Sequence, residues 1–221
     1  MGQTILTPHQ SQFLELAAKQ QSLVKKYYLT GGTALSAFYY QHRLSYDLDF
    51  FTETDEVNQT AIDIFLKRIS PQLNITHIEK TVFLGLVSYL LHFKDQQQLK
   101  IDFNYYPFPR IKTGSKFLNL SVDSLYDIAA NKLHTIYMQP RSRDYIDLYL
   151  IMTKEKLVLD KLIIAAKTKF DWHIDKFGLA SQFMRCQDYD ESGLMLIPFN
   201  QKVMQNYYTK LATALKKEYL T

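Results

Sequence analysis

Two hydrophobic periods alternate along the first half of the chain, and one of them fills the second. After Thr7-Pro8, an N-cap residue followed by proline at the first helical position, Phe13, Leu14, Ala17 and Ala18 recur at helical spacing and predict a helix over residues 8–23. The aromatic stretch 25–30 (KKYYLT) reads as a short strand running into Gly31-Gly32, and helical spacing resumes over 33–41. In 45–52 the period becomes two, with Leu48 and Phe50 on one side and Asp47 and Asp49 on the other. An amphipathic helix is expected over 54–69, ended by Ser70-Pro71, and two or three long strands between 73 and 106. The last of these sets Leu99, Ile101, Phe103 and Tyr105 against Lys100, Asp102 and Asn104. Pro107, Pro109 and Gly114 then mark a loop. From Ser121 onward every segment has the helical period: 121–138, 143–152, 155–170, 174–185 and 200–220.

This succession predicts an α+β or α/β first half built on a mixed sheet and an all-helical second half, with the boundary near 114–121. The expected domains are 1–118 and 119–221.

Composition narrows the class. The 221 residues are 47% hydrophobic and 22% charged, with seven Gly and six Pro, as in a globular protein rather than a disordered or collagen-like one. Cys186 is the single cysteine, so neither an intramolecular disulfide nor a cysteine-based zinc site can form. The longest apolar stretch, 81–93, falls short of the roughly 20 residues that a membrane helix needs. No secretory pattern opens the chain, which predicts a cytoplasmic protein. Ten basic residues balance ten acidic ones up to Arg110, whereas the rest carries sixteen against twelve. That excess suits an anionic partner such as a triphosphate or RNA, and equally a set of solvated lysine-rich helix faces.

The candidate chemistry begins at 27–51. A strand enters a Gly-Gly turn and a helix starts at once, so that backbone N–H groups can approach an anion. The next strand carries Asp47 and Asp49, which share a face because they are two apart. Side by side they repel unless a cation lies between them, and a divalent metal such as Mg²⁺ is the usual resolution. Asp102, on the polar side of an otherwise apolar strand, is the expected third acid. Each feature alone is weak: a Gly-Gly turn is usually only a turn, and Asp-x-Asp is often a solvent face. Lys132 falls within the apolar stripe Leu125, Ile128, Ala129, Leu133 and Ile136, where an ammonium needs an anion or a route to water. Arg143, Asp144 and Asp147 open the next helix with both acids on one face; Asp144 could equally be a helix cap, and Arg141 and Arg143 could bind phosphate or pair with those acids. His42-Arg43 is expected to form a loop salt bridge, and the remaining histidines lack metal-ligand spacing.

The stretch GGTALSAFYYQHRLSYDLDFF resembles the first motif of the DNA polymerase β-like nucleotidyltransferase superfamily, and more closely that of the AbiEii/AbiGii nucleotidyltransferase-toxin family. A second stretch, AANKLHTIYMQPRSRDYIDLYLI at 129–151, is similar to that family's Lys…Arg-Asp-x-x-Asp-Leu region. The resemblance implies a nucleotidyltransferase fold with the catalytic core in 1–118, and a helical part that completes the NTP and acceptor site. It implies transfer of a nucleotide from an NTP to an acceptor, with Gly31 and Gly32 at the phosphates and Asp47 and Asp49 on Mg²⁺. Two ions are expected, with Mn²⁺ as the substitute. Asp102 would be the third catalytic acid and metal ligand, Lys132 a nucleotide-binding lysine, Arg143 a further contact, and Asp144 or Asp147 a late functional acid. Where the superfamily commonly has Ser this chain has Gly32, so the hydroxyl contact would pass to Thr33. The implied role is the toxin of a toxin–antitoxin or phage-defence pair, with an RNA or tRNA end as acceptor and a cognate antitoxin as partner. A small-molecule nucleotidyltransferase of the antibiotic-modifying kind and a catalytically silent protein-binding module are the alternatives.

Overall fold

A computed structural model describes residues 5–189 and 195–220. The chain divides into two compact units: one comprises residues 1–109 and 113–124, the other residues 110–112 and 125–221.

The first unit is a mixed seven-stranded sheet with helices. It opens with α1 (Pro8–Ala17) and α2 (Gln21–Val24), followed by β1 (Tyr28–Thr30), α3 (Gly31–Leu35) with a π-helical extension (Ser36–Tyr40), and β2 (Leu48–Thr52). Then come α4 (Gln59–Leu73), β3 (Ile75–Phe83), β4 (Leu86–Phe93), β5 (Gln98–Tyr105), β6 (Lys116–Phe117) and β7 (Leu120–Val122). The strand order is β3-β4-β5-β2-β1-β7-β6. β2 runs parallel to β5 and β1 parallel to β7, and the other neighbours are antiparallel. The period-two pattern of β2 and β5 is what the sheet uses. Leu48, Phe50, Ile101 and Phe103 are fully buried on one face, where Phe50 stacks on Phe103 at 5.1 Å between centroids. Phe13 of α1 closes that core, edge-on to Phe50 and to Phe65 of α4. The polar residues of the same strands therefore line the opposite face.

Several boundaries differ from the sequence expectation. The helix expected over 8–23 breaks after Ala17, because Gln20 is extended and starts α2 as a separate turn. α4 begins only at Gln59, after Asn58 caps it by accepting from the Ala61 amide, and Pro71 lies inside its last turn rather than beyond it. Proline there removes one bond, to an exposed part of the helix, and the stop is Asn74 in the left-handed region at φ 56°. Ser121, expected at a helix start, belongs to β7 and pairs with Tyr28.

The second unit contains α5 (Leu125–Met138), α6 (Ser142–Lys154), α7 (Leu159–Phe170), α8 (Lys176–Met184) with a 3₁₀ turn (Arg185–Asp188), and α9 (Gln201–Leu220). Its core gathers Ile128, Leu133 and Ile136 of α5, Tyr145 and Leu148 of α6, Leu162 of α7, Phe183 of α8 and Tyr208 of α9. The buried tyrosines satisfy themselves on backbone: Tyr208 donates to the Tyr145 carbonyl at 2.7 Å, and Tyr145 to that of Gln182 at 2.6 Å. Among the described residues no helix is long and apolar enough to cross a membrane.

Residues 110–112 join this second unit through a buried carboxylate. Asp127 of α5 accepts from the amides of Ile111 (2.7 Å) and Lys112 (2.9 Å) and pairs with Lys169 of α7 at 2.9 Å, both side chains being fully covered. Removing one partner of such a pair leaves a buried charge without its counter-ion. Lys169→Met is therefore expected to lower unfolding free energy by about 3–5 kcal/mol in urea titration; a loss under about 1 kcal/mol would show that the two amides satisfy Asp127 without the lysine.

Candidate active site

The register of the sheet brings the separated acids together. Asp49 on β2 is the direct partner of Asp102 on β5, so two carboxylates 53 residues apart in sequence stand side by side on one face. The row extends in both directions: Thr30 of β1 is opposite Asp49, and Ser88 of β4 is opposite Asp102. Asp47 lies two residues before Asp49, at the entry to the strand.

Several side chains hold these acids in place. The Thr33 hydroxyl donates to the backbone carbonyl of Asp47. Gln10, buried in α1, donates through Nε2 to the carbonyls of Ser45 and Tyr46 at 2.9 Å each, which pins the chain just ahead of Asp47. Gly31 has φ 75°, and a Cβ there would fall on Oδ2 of Asp49. Only glycine allows both that conformation and that approach. Beside it, Gly32 lies against the Arg43 guanidinium and the Ser45 hydroxyl. Arg43 is buried, and its Nη1 donates to the Leu44 carbonyl at 2.9 Å; His42, also buried, has Nδ1 3.4 Å from the Ser36 hydroxyl. The dipeptide expected to form a loop salt bridge is thus buried, with its arginine against the glycine turn.

Asp102 is gripped at both oxygens. The Ser88 hydroxyl donates to Oδ1, and the Lys100 ammonium lies 2.7 Å from Oδ2. Burial would lower the pKa of Lys100, but the hydrogen bond and charge of Asp102, with the charges of Asp47 and Asp49, outweigh it and raise the pKa above its ordinary value. The three acids and Lys100 therefore form one electrostatic group. Neither Ser88 nor Lys100 was singled out from the sequence, where K-x-D on a strand looks like a solvent face. A further acid was missed in the same row. Asp123, fully buried just after β7, accepts from the Thr30 hydroxyl at 2.7 Å and the Ser124 amide at 3.1 Å. Its signal was available only as an acid directly following the apolar end of a strand.

In the second unit Lys132 bridges two acids. Its ammonium is 2.7 Å from Asp144 Oδ1 and 2.7 Å from Asp147 Oδ2, with all three side chains at most 9% exposed. Arg141 joins through its backbone N–H and its Nε, each 3.1 Å from Asp144 Oδ2. Of the two expected solutions for Lys132, an anion or a route to water, the chain uses the first and supplies the anions itself. Arg143 is half-buried at the start of α6. Burial pushes the Asp144 pKa up, but the charges of Lys132 and Arg141 and their hydrogen bonds outweigh that and hold it below the usual aspartate value.

The donors of the strand row are carboxylate oxygens, which suit Mg²⁺ or Mn²⁺ rather than a soft metal. Among the described residues no three His, Cys, Asp or Glu side chains are gathered closely enough to hold a metal ion between them. Mg²⁺ commonly takes only one or two protein carboxylates and completes its shell with water and phosphate oxygens, so Asp47 and Asp49 fit that demand while Asp102 is engaged by Lys100 and Ser88.

A mixed sheet with acids on adjacent strands behind a glycine turn is the nucleotidyltransferase fold, and solved structures share it. JHP933 from Helicobacter pylori aligns with TM-score 0.60 at 20% identity, over 94% of this chain and 90% of its own. A second Helicobacter pylori chain aligns with TM-score 0.61 at 21% identity, over 96% and 97%. MenT4, the nucleotidyltransferase toxin Rv2826c from Mycobacterium tuberculosis H37Rv, aligns with TM-score 0.53 at 14% identity, over 86% and 75%. The profile of the family described as "Nucleotidyl transferase AbiEii toxin, Type IV TA system" matches residues 12–217, so the chain belongs to the AbiEii nucleotidyltransferase toxin family. It is a nucleotidyltransferase. No curated protein matches the sequence.

The lowered pKa of Asp144 gives the second-unit cluster a pH signature. Its contribution to stability is complete above the unfolded aspartate pKa of about 4 and is lost as pH falls through the lower folded value. Urea midpoints measured from neutral pH down to about pH 3 should therefore fall more steeply for the wild type than for Asp144→Asn, with the gap between them narrowing in acid. Two parallel curves would mean that Lys132 and Arg141 do not favour the ionised carboxylate.

Proposed function

We propose that the chain transfers a nucleoside monophosphate from an NTP to the hydroxyl of an RNA end, breaking the α–β phosphoanhydride bond and releasing pyrophosphate, with tRNA the expected class of acceptor, and does so with Mg²⁺. The observation that carries this reading is the pairing of Asp49 with Asp102 across β2 and β5, with Asp47 just ahead of β2 and near enough to act on Lys100 through its charge, and the Gly31 turn against Asp49. Asp47 and Asp49 would hold the metal. When bound, Mg²⁺ would steady the triphosphate and acidify the attacking hydroxyl.

This chain's own residues supply the rest. Asp102 accepts the acceptor hydroxyl's proton or orients that hydroxyl toward the α-phosphate, and Ser88 keeps one carboxylate oxygen turned away from it. The backbone at Gly31 and Gly32 lies against the phosphates, and Arg43 beneath adds positive field. The Thr33 hydroxyl serves through Asp47, which it positions, rather than through the phosphates. Family resemblance also gives Lys132, Arg143, Asp144 and Asp147 to the nucleotide. We assign to Lys132, Asp144 and Asp147 the role of locking α5 to α6 through a buried ion cluster. The basic excess after Arg110 supports an RNA acceptor, and the family supports a toxin paired with an antitoxin or acting in phage defence.

Incubation with each of the four α-³²P-labelled NTPs, Mg²⁺ and total RNA tests the reading, beside an Asp47→Ala/Asp49→Ala control checked for folding. Label in an RNA band that disappears in the control is the expected result and identifies the base. Transfer that survives in the folded control would contradict the assignment of the metal-binding acids. Absence of transfer from every NTP would point to a small-molecule acceptor or a silent protein-binding module.

A further inference from the structure

The carboxylate row contains a cation of the chain's own. Lys100 precedes Asp102 by two residues on β5, so both side chains stand on one face. The lysine side chain is 44% exposed and the aspartate 13%, so the ammonium reaches from solvent onto a mostly covered carboxylate. There it takes Oδ2, while the Ser88 hydroxyl takes Oδ1. Asp49 is the neighbour of Asp102 on the other strand, and Asp47 and Asp49 both act on Lys100 through their charge. The ammonium of Lys100 is thus placed on the acid farthest along the row from the glycine turn.

Such a pair is held but not locked. A half-exposed lysine keeps water within reach and is weakly retained. An ammonium and a divalent cation repel each other, and they cannot both occupy one carboxylate oxygen. A flexible four-carbon stem lets the same ammonium turn to a phosphate instead.

We infer that Lys100 is a resident counter-ion that withholds Asp102 from a divalent cation, so that the third carboxylate opens only when the triphosphate of an incoming nucleotide takes the lysine away. The inference rests on the nucleotidyltransferase reading of this site. In the nucleotide-free chain, Lys100 and Ser88 cover both oxygens of Asp102. Once nucleotide arrives, Lys100 neutralises phosphate charge, and Asp102 is released to meet the acceptor hydroxyl. Lys100 is a positioning residue in this scheme: it decides when Asp102 acts and takes no part in bond making. The order it imposes, nucleotide before activation of the acceptor, guards against activating a water molecule in an empty site.

Mn²⁺ binding to the full chain, followed by electron paramagnetic resonance without nucleotide, tests this directly. Lys100→Met and Lys100→Gln should each bind Mn²⁺ about tenfold more tightly than wild type, or take up one additional ion, because removing the resident charge exposes Asp102. Lys100→Arg, which keeps the charge, should behave as wild type. With an α,β-methylene NTP analogue present, the difference between wild type and Lys100→Met should shrink. Equal Mn²⁺ affinity and stoichiometry in wild type, Lys100→Met and Lys100→Gln would overturn the inference, as would an absence of Mn²⁺ binding in all three. An Asp47→Asn/Asp49→Asn chain separates the two claims. If it is folded and still binds Mn²⁺ like wild type, the metal-site reading fails; the comparison at Lys100 decides the inference on its own.

Discussion

Like charges set side by side repel, and a chain that pairs Asp49 with Asp102 on neighbouring strands and brings Asp47 near them has to hold the three there against that repulsion. Much of the first unit can be understood as the means of doing so. The parallel pairing of β2 with β5 sets the separation, because register fixes which residues are neighbours to within one side chain. The stacked Phe50 and Phe103 on the opposite face anchor that register in the core. Around the acids, Lys100 supplies charge, Ser88 and Thr33 supply hydroxyl donors, and Gln10 ties down the approach to the strand. Gly31 removes the one side chain that would otherwise collide with Asp49.

The second unit solves a related problem in the opposite way. There a lysine is taken into the interior and two acids are brought to it, with Arg141 as a further cation at the helix start. A buried cluster of this kind is poor evidence of stability gained over an apolar alternative, yet it is unforgiving of the loss of any one member. The same holds for Lys169 and Asp127, which bring residues 110–112 onto the helices. Lysines in this unit therefore divide between those that contribute to a basic surface and those whose charge is already matched inside.

Much of the sheet was legible because alternation is a direct record of burial. Leu48 and Phe50 against Asp47 and Asp49, and Ile101 and Phe103 against Lys100 and Asp102, have the faces that the period of two assigns. The helices of the second unit were legible for the same reason, as the α5 stripe shows. β7 was not, because three residues directly before a helix carry too little periodicity to be separated from it. Pro71 misled because the cost of proline depends on its place in the helix, and in a last turn it is small. Side-chain pairing was the least visible level. The sequence showed that Lys132 needed an anion or a route to water and that Asp144 and Asp147 shared a face, but not that these acids meet the lysine. Lys100, Ser88, Asp123 and Gln10 owe their roles to strands and helices brought together by the fold, and their local sequence carries no mark of it.

The claim on which the functional account turns is that the strand row holds a metal against the α-phosphate during transfer. Transfer from the two α-phosphorothioate diastereomers of the NTP, compared in Mg²⁺ and in Mn²⁺, addresses it most directly, since sulfur binds Mg²⁺ poorly and the softer Mn²⁺ better. The account predicts that one diastereomer is a poor substrate in Mg²⁺ and recovers in Mn²⁺. Turnover of both diastereomers at the rate of the parent nucleotide in Mg²⁺ would contradict it.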